Sequence, residues 1–343
     1  MTSGSGGAVE ENPIERSEWL VNLYQSIEDD LSSLREYLHD EFTSSEPFVH
    51  ELLEHLSRFR GKQVRPACLF LSARCFGDTG SDHIRCGAVV ELIHTATLVH
   101  DDLLDQAEIR RRVETIHNRY GDRAAILLGD IIYARGFVIS TEVAGAARLL
   151  ADCTRDICIG EMMQVGNAGN LNLTEEEYFQ IIHRKTAILY GLSCKLGALL
   201  SGATATQVEA MERFGNLLGT AFQIADDALD VTGDPQQVGK SLGTDLANQK
   251  LTLPMILLRD GLDQQGKAEL LSMLAAAEEF DIGSEPHRQL QRMLDQQQIL
   301  NQVLERAEDL TREAIEVLHG AVPKSAARDA LEQLAEFVVQ RKL

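Results

Sequence analysis

Val89-Val90-Glu91-Leu92-Ile93-His94-Thr95-Ala96-Thr97-Leu98-Val99-His100-Asp101-Asp102-Leu103-Leu104-Asp105 decides the fold class of this chain. Val89, Leu92, Ile93, Ala96, Val99 and Leu103 recur in steps of three and four, the period of an amphipathic helix. A second stripe, Phe214, Leu218, Ala221, Phe222, Ala225 and Leu229, runs into the same acidic pattern at Asp226-Asp227-Ala228-Leu229-Asp230. A third, Val303, Ala307, Leu310, Ala314 and Leu318, lies near the C-terminus. Pro66 and Pro235 bracket a long span free of proline, which reads as helices joined by Gly and polar turns. Clear period-2 segments are missing. These patterns predict one all-α domain over 13–343, behind a small, polar, disordered tail at 1–12.

Each acidic pattern falls near the end of its helix. Asp101 and Asp105 are four residues apart, so they share a face, about 6 Å from each other along the axis. Asp226 and Asp230 do the same. Two such faces turned toward each other form a pocket of hard oxygen donors, too negative to stand alone. Mg²⁺ with a phosphorylated ligand suits it, because that ion keeps few carboxylates and completes its shell with water and phosphate.

The net charge is −21, of which the two motifs supply six, leaving −15. Such a chain is not expected to bind nucleic acid or an anionic membrane through its overall field. A phosphate ligand therefore demands local clusters of Lys and Arg. Six cysteines, with no Cys-x-x-Cys pair, read as buried, reduced thiols. The start lacks the basic and apolar regions of a secretory signal, and no charge-free apolar stretch approaches the ~18 residues of a membrane helix. A soluble, cytoplasmic protein without a transmembrane segment is expected.

The demanded cations are present. Gly61-Lys62-Gln63-Val64-Arg65-Pro66 sets two of them three apart, beside a glycine that permits close backbone approach. Arg110-Arg111-Arg112 follows the first motif, Lys185-Thr186 lies between the motifs, and Lys240 and Lys250 follow the second. Gly239-Lys240-Ser241 is not a P-loop: Asp234 stands where its first glycine is required, and a helical stripe precedes it.

Gly-Lys-x-x-Arg-Pro, the quoted stretch from Glu91 to Asp105, the arginine pair, Lys-Thr, and Phe222-Gln223-Ile224-Ala225-Asp226-Asp227 together resemble the trans-isoprenyl diphosphate synthase family. The likeness runs from about Glu51 to the C-terminal Val-Val-Gln-Arg. It implies a bundle of long antiparallel helices around a central cavity, typically homodimeric. The implied reaction condenses isopentenyl diphosphate with an allylic diphosphate primer to give an all-trans polyprenyl diphosphate.

By the same resemblance, Lys62, Arg65, His94 and Arg111 would hold the diphosphate of isopentenyl diphosphate. Asp101, Asp105 and Asp226, with Asp230 through water, would gather three Mg²⁺ ions on the allylic diphosphate. Arg110, Lys185, Thr186, Gln223 and Lys240 would complete that second anion site, with Lys250 nearby; Lys185, Arg110 and Lys240 are the catalytic candidates. His94 precedes Asp101 by seven residues, on the same helical face. Asp102 and Asp227 are expected to orient ligands and waters. One departure stands out: the family commonly has glycine after its paired arginines, and here that residue is Arg112.

In this family, bulky residues just upstream of the first motif block the growing tail. Those positions are Ala96 and Thr97 here, neither aromatic, which implies a product longer than twenty carbons, such as a quinone side chain. The alternatives are a geranylgeranyl (twenty-carbon) or farnesyl diphosphate synthase, a class I terpene cyclase, or a non-catalytic subunit. A cyclase would not need the Lys62/Arg65 site, and non-catalytic subunits usually lack one or both aspartate motifs.

Overall fold

The computed structural model describes residues 23–59, 61–232, 249–275 and 285–340. The expected tail at 1–12, and Lys240, lie outside the described residues. After a short 3-10 turn at Gln25–Ile27 the chain forms α1 (Glu28–Glu41), α2 (Pro47–Leu56) and α3 (Val64–Arg74). The long α4 (Ser81–Leu104) carries the quoted stretch and ends on the first aspartate motif. Ala88, Val89, Val90, Leu92, Ile93, Ala96 and Val99 are all buried, so α4 runs through the core with apolar contacts on several sides.

Two short strands, β1 (Ile109–Arg110) and β2 (Val113–Glu114), form an antiparallel hairpin that alternation could not reveal. Its two-residue turn is Arg111-Arg112, with φ of +51° and +64°. Positive φ at both central residues is the type I′ pattern, which twists with the strands and favours Asn-Gly. This is the local reason the family commonly has glycine at the position of Arg112: the backbone there takes a shape best suited to glycine. Arg112→Gly is expected to stabilise the fold by roughly 0.5–1 kcal/mol. The check is the urea unfolding midpoint; an unchanged or lower midpoint would show that Arg112 makes a contact worth more than the strain.

The chain continues through α5 (Ile116–Tyr120), α6 (Asp122–Thr141), α7 (Ala146–Gly166) and α8 (Glu175–Ile182) to a single π-helical turn at His183–Ala187. Next come α9 (Ile188–Leu200), α10 (Ala205–Thr232), α11 (Leu253–Gly261), α12 (Gln264–Ala275), α13 (Glu285–Gln296), α14 (Ile299–Ala321) and α15 (Ala326–Gln340). The fold is all-α, as the periodicity predicts. α9 packs against α3 and α10, α10 lies along α14, and α4 pairs with α6. Two apolar clusters result. One takes Phe214, Leu218 and Ala221 of α10 with Ala314 and Leu318 of α14. The other takes Ile224, Ala228 and Val231 with Ile299, Val303 and Ala307. Leu310 packs against both, so the two long helices thread one cluster into the next.

One expectation, on the cysteines, needs correction. Cys68, Cys86, Cys153 and Cys194 are buried and all six cysteines are free, but Cys158 is exposed and Cys75 half-buried. Apolar neighbours in sequence do not fix burial when one face of a helix looks outward, as α7 does at Cys158. Further, α6 is 20 residues long with a mean hydropathy of 1.5 in its apolar window, enough by length and composition to cross a membrane. Only 39% of that window is buried. Asp130 and Arg135 interrupt it, and the Arg135 guanidinium donates to the Thr43 carbonyl at 2.5 Å.

Candidate active site

The end of α4 presents Asp101 half-buried and Asp102 buried, while Asp105 caps the helix. Asp102 turns inward, where its Oδ1 accepts from Arg110 Nε at 2.5 Å. Asp105 accepts from the Lys250 ammonium at 2.7 and 2.8 Å. The segment after the second motif thus returns to the first. Burial pushes the Asp101 carboxyl up to about 6; Lys185 pulls it down, and Glu161 and Asp105 raise it further.

The π turn lies between the two motif-bearing helices. Such a turn widens the helix by one residue and is frequent at functional sites. Here it sends neighbouring side chains to different helices. The Lys185 ammonium stands 3.7 Å from Asp101 Oδ2 and 2.5 Å from Glu161 Oε2 of α7. Burial lowers the pKa of Lys185, but Asp101 and Glu161 outweigh it and hold the ammonium above its usual value. Thr186, next in sequence, donates its hydroxyl to Gln223 Oε1 of α10 at 2.8 Å.

Gln223 passes the connection on, donating to Asp227 Oδ1 at 2.7 Å one turn later. The Tyr178 hydroxyl donates to the other oxygen, Oδ2, at 2.7 Å. Asp227 is buried, whereas Asp226 and Asp230 are half-buried beside it. In both motifs, then, the middle aspartate is a fixed internal acceptor and the outer two face less protected space.

A basic corner forms beside α4. α3 begins after Gln63, whose φ of +50° turns the chain so that Arg65 points at α4. Arg65 Nη1 lies 3.2 Å from His94 Nε2, and its guanidinium stacks 4.4 Å from the centroid of Tyr190. Loss of solvent, with Arg65 next, holds the His94 pKa well below its usual value. A guanidinium has only N–H donors, so Nε2 accepts from the arginine. Arg111 donates to the Phe59 carbonyl at 2.8 Å. Its guanidinium fills the space over Gly61, where a Cβ would come within 2.6 Å of Nη1. Lys62 is exposed, with its ammonium 5.8 Å from the Phe337 ring, and its carbonyl accepts from the Tyr24 hydroxyl at 3.1 Å.

The structure therefore brings Arg65, His94 and Arg111 into one corner, while Lys62, expected with them, is exposed and turns its ammonium toward Phe337. Asp101, Asp105, Arg110, Lys185 and Lys250 gather in a second, linked through Thr186 and Gln223 to the helix of Asp226 and Asp230. The arginine triplet divides, Arg110 toward the first motif and Arg111 toward Gly61. Sequence reasoning missed Glu91, Glu161, Tyr178 and Tyr190. Glu91 was within reach, one turn before His94 on the same face; burial raises its carboxyl, while Arg65 and Arg111 oppose the rise. Glu161 was not, since its partner lies in another helix.

The family described as Polyprenyl synthetase matches residues 46–284. An octaprenyl diphosphate synthase of Haemophilus influenzae is 31% identical over 326 residues, covering 91% of this chain and 94% of that protein. A short chain isoprenyl diphosphate synthase of Methanothermobacter thermautotrophicus is 34% identical over 295 residues, covering 84% and 89%. The crystal structure of a polyprenyl synthase from Caulobacter crescentus, complexed with calcium and isoprenyl diphosphate, superposes with a TM-score of 0.88 at 32% identity, covering 94% of this chain and 98% of that one. With two cationic corners joined to two aspartate helix ends, and with relatives matching along nearly its whole length, the chain belongs to the polyprenyl synthetase family of prenyl-transferring enzymes.

Proposed function

We propose that this enzyme condenses isopentenyl diphosphate with an allylic diphosphate, with Mg²⁺, to give an all-trans product longer than twenty carbons. The observation that carries the site assignment is the π turn, whose Lys185 lies by Asp101 and whose Thr186 reaches the helix of Asp226. Among the described residues no three His, Cys, Asp or Glu side chains stand close enough to share one metal ion. The donor chemistry nevertheless fits a hard divalent cation. Asp101 is a carboxylate made costly by burial, with Glu161 and Asp105 close enough to raise it further, and every candidate ligand is oxygen. Asp101, Asp105, Asp226 and Asp230 would hold three such ions, which neutralise diphosphate charge when bound.

In this reading Lys185, Arg110 and Thr186, with Gln223, Lys240 and Lys250, bind and orient the allylic diphosphate and stabilise the charge it gains as its C–O bond breaks. Lys62, Arg65, His94 and Arg111 hold isopentenyl diphosphate so that its double bond meets the allylic carbon. Pyrophosphate leaves, and the proton lost from the new cation passes to it. Glu91 is the carboxylate that partly offsets the cations of that corner and leaves a net positive charge for the incoming anion.

The relatives carry names of different product lengths, so length is read from the tail path. Neither Ala96, small and fully buried, nor Thr97, whose hydroxyl donates to the His94 carbonyl at 2.7 Å, sets an aromatic ring below Asp101, which by the family's rule supports a long product. Isotope-labelled isopentenyl diphosphate, offered with primers of several lengths and read by chromatography, tests the whole reading. Incorporation past twenty carbons supports it, a twenty-carbon stop favours the geranylgeranyl alternative, and no incorporation removes it. Ala96→Phe is expected to shorten the product in the same assay, and an unchanged distribution would count against this tail path.

Leu127 and Val138 of α6, and Met162 and Val165 of α7, are exposed apolar side chains of the kind a second copy of the chain covers. Asp130 and Arg135 inside the α6 window favour a homodimer over a membrane span, because charges in mid-membrane are costly. A monomer in sedimentation at micromolar concentration would remove this element. Six free thiols fit a cytoplasmic setting.

A further inference from the structure

α7 carries two carboxylates that meet the two cations of the π turn in order. Asp156 faces Arg184 at 3.5 Å and Glu161 faces Lys185 at 2.5 Å. Between them stands Gly160, where a Cβ would come within 2.7 Å of the Lys185 amide nitrogen and 2.8 Å of Arg184 Cβ. Backbone contact and two ion pairs together fix the rotation of the turn. Among the described residues Glu161 has one cationic partner, Lys185, and both side chains are less than one-fifth exposed.

Lys185 has two carboxylates within reach, and the geometry does not divide it evenly. It lies 1.2 Å nearer to Glu161 (2.5 Å) than to Asp101 (3.7 Å). Lys250, by contrast, sits directly on Asp105 at 2.7 Å. An ammonium in direct contact with Asp101 would compete with a divalent cation for the same oxygens. We propose that Glu161 is a positioning residue that draws the Lys185 ammonium off Asp101, keeping Asp101 open to the divalent cation and Lys185 aimed at the diphosphate. The proposal rests on the reading of Asp101 as a metal-binding residue.

The test uses the full chain and a binding readout independent of turnover. The manganese complex of inorganic pyrophosphate is titrated against enzyme and followed by water proton relaxation. Glu161→Gln is expected to weaken binding roughly tenfold, because the released lysine settles on Asp101 as a partly buried pair that must be broken. Glu161→Asp is expected to recover binding to within about threefold of wild type, since the charge is retained. In a Lys185→Gln background, Glu161→Gln is expected to change binding less than about twofold, because the competing cation is gone. Binding by Glu161→Gln that equals or exceeds wild type overturns the proposal. So does an equal loss in both backgrounds, which is what a purely structural Glu161 would give. Asp101→Asn separates the two levels: undiminished binding there, or no binding by wild type, removes the metal reading itself.

Discussion

Asp101→Asn is expected to lower the condensation rate by roughly a thousandfold or more while leaving the fold intact. Metal stabilisation of a departing diphosphate is worth several kcal/mol, and each 1.36 kcal/mol is about tenfold in rate. Asn keeps the size of the side chain but loses the charge that draws the cation. The fold does not need that charge. Burial raises Asp101 from an ordinary value of 3.8 to about 6, so between these values the native state binds more protons than the unfolded one. Stability then falls as pH rises through that window, and above it the ionised group opposes folding. The variant should therefore unfold no earlier than wild type in chelator and show a flatter pH profile across the window. Turnover within tenfold of wild type would sink the assignment, and a collapsed circular dichroism spectrum would show that Asp101 is structural after all.

The second large effect concerns Gly160. Replacing it with Ala drives a methyl group into the Lys185 amide and Arg184 Cβ, both fixed parts of the π turn rather than flexible side-chain ends. Overpacking of this kind typically costs about 1–3 kcal/mol. If the turn yields instead, Lys185 moves relative to Asp101 and Thr186 relative to Gln223, so turnover should fall by roughly one to two orders of magnitude. Gly166, at the exposed end of the same helix, has nothing within 4 Å of an added Cβ and serves as the control. Gly166→Ala should stabilise by a few tenths of a kcal/mol to about 1 kcal/mol, by helix propensity alone. Denaturant midpoints and turnover numbers for the two variants decide the matter. Equal effects would mean that the close approach of α7 to the turn has no consequence.

Much of this fold was legible because its helices are long and their apolar periods clean. The stripes of α4, α10 and α14 are buried along most of their length, with Leu103, Phe222, Leu229 and Leu310 half-buried, and both aspartate patterns stand at helix ends. That clusters of Lys and Arg should be present followed from the demand of a phosphate ligand, whereas their grouping with His94 was implied by the family resemblance. What stayed hidden has physical reasons. A single π turn adds one residue to a helix and leaves no period to detect, so the different destinations of Lys185 and Thr186 could not be read. The Glu161–Lys185 pair joins residues of separate helices, which no local pattern encodes. The hairpin at Ile109–Glu114 is too short for alternation, and its turn uses arginines where glycine would have announced it. Cys158 looked interior because its neighbours are apolar, but it shares the outward side of α7 with Ile159 while Ile157 turns into the core.

α10 and α14 cross from one apolar cluster into the other without a break, and both outer aspartates of the second motif sit on α10 where it lies in the second cluster. Amide protons around Asp226 should accordingly exchange with deuterium only as slowly as the deepest part of the protein opens. Carboxylates carried on a through-running beam of this kind move with it. Heating would then extinguish turnover and the packed interior together, in one transition.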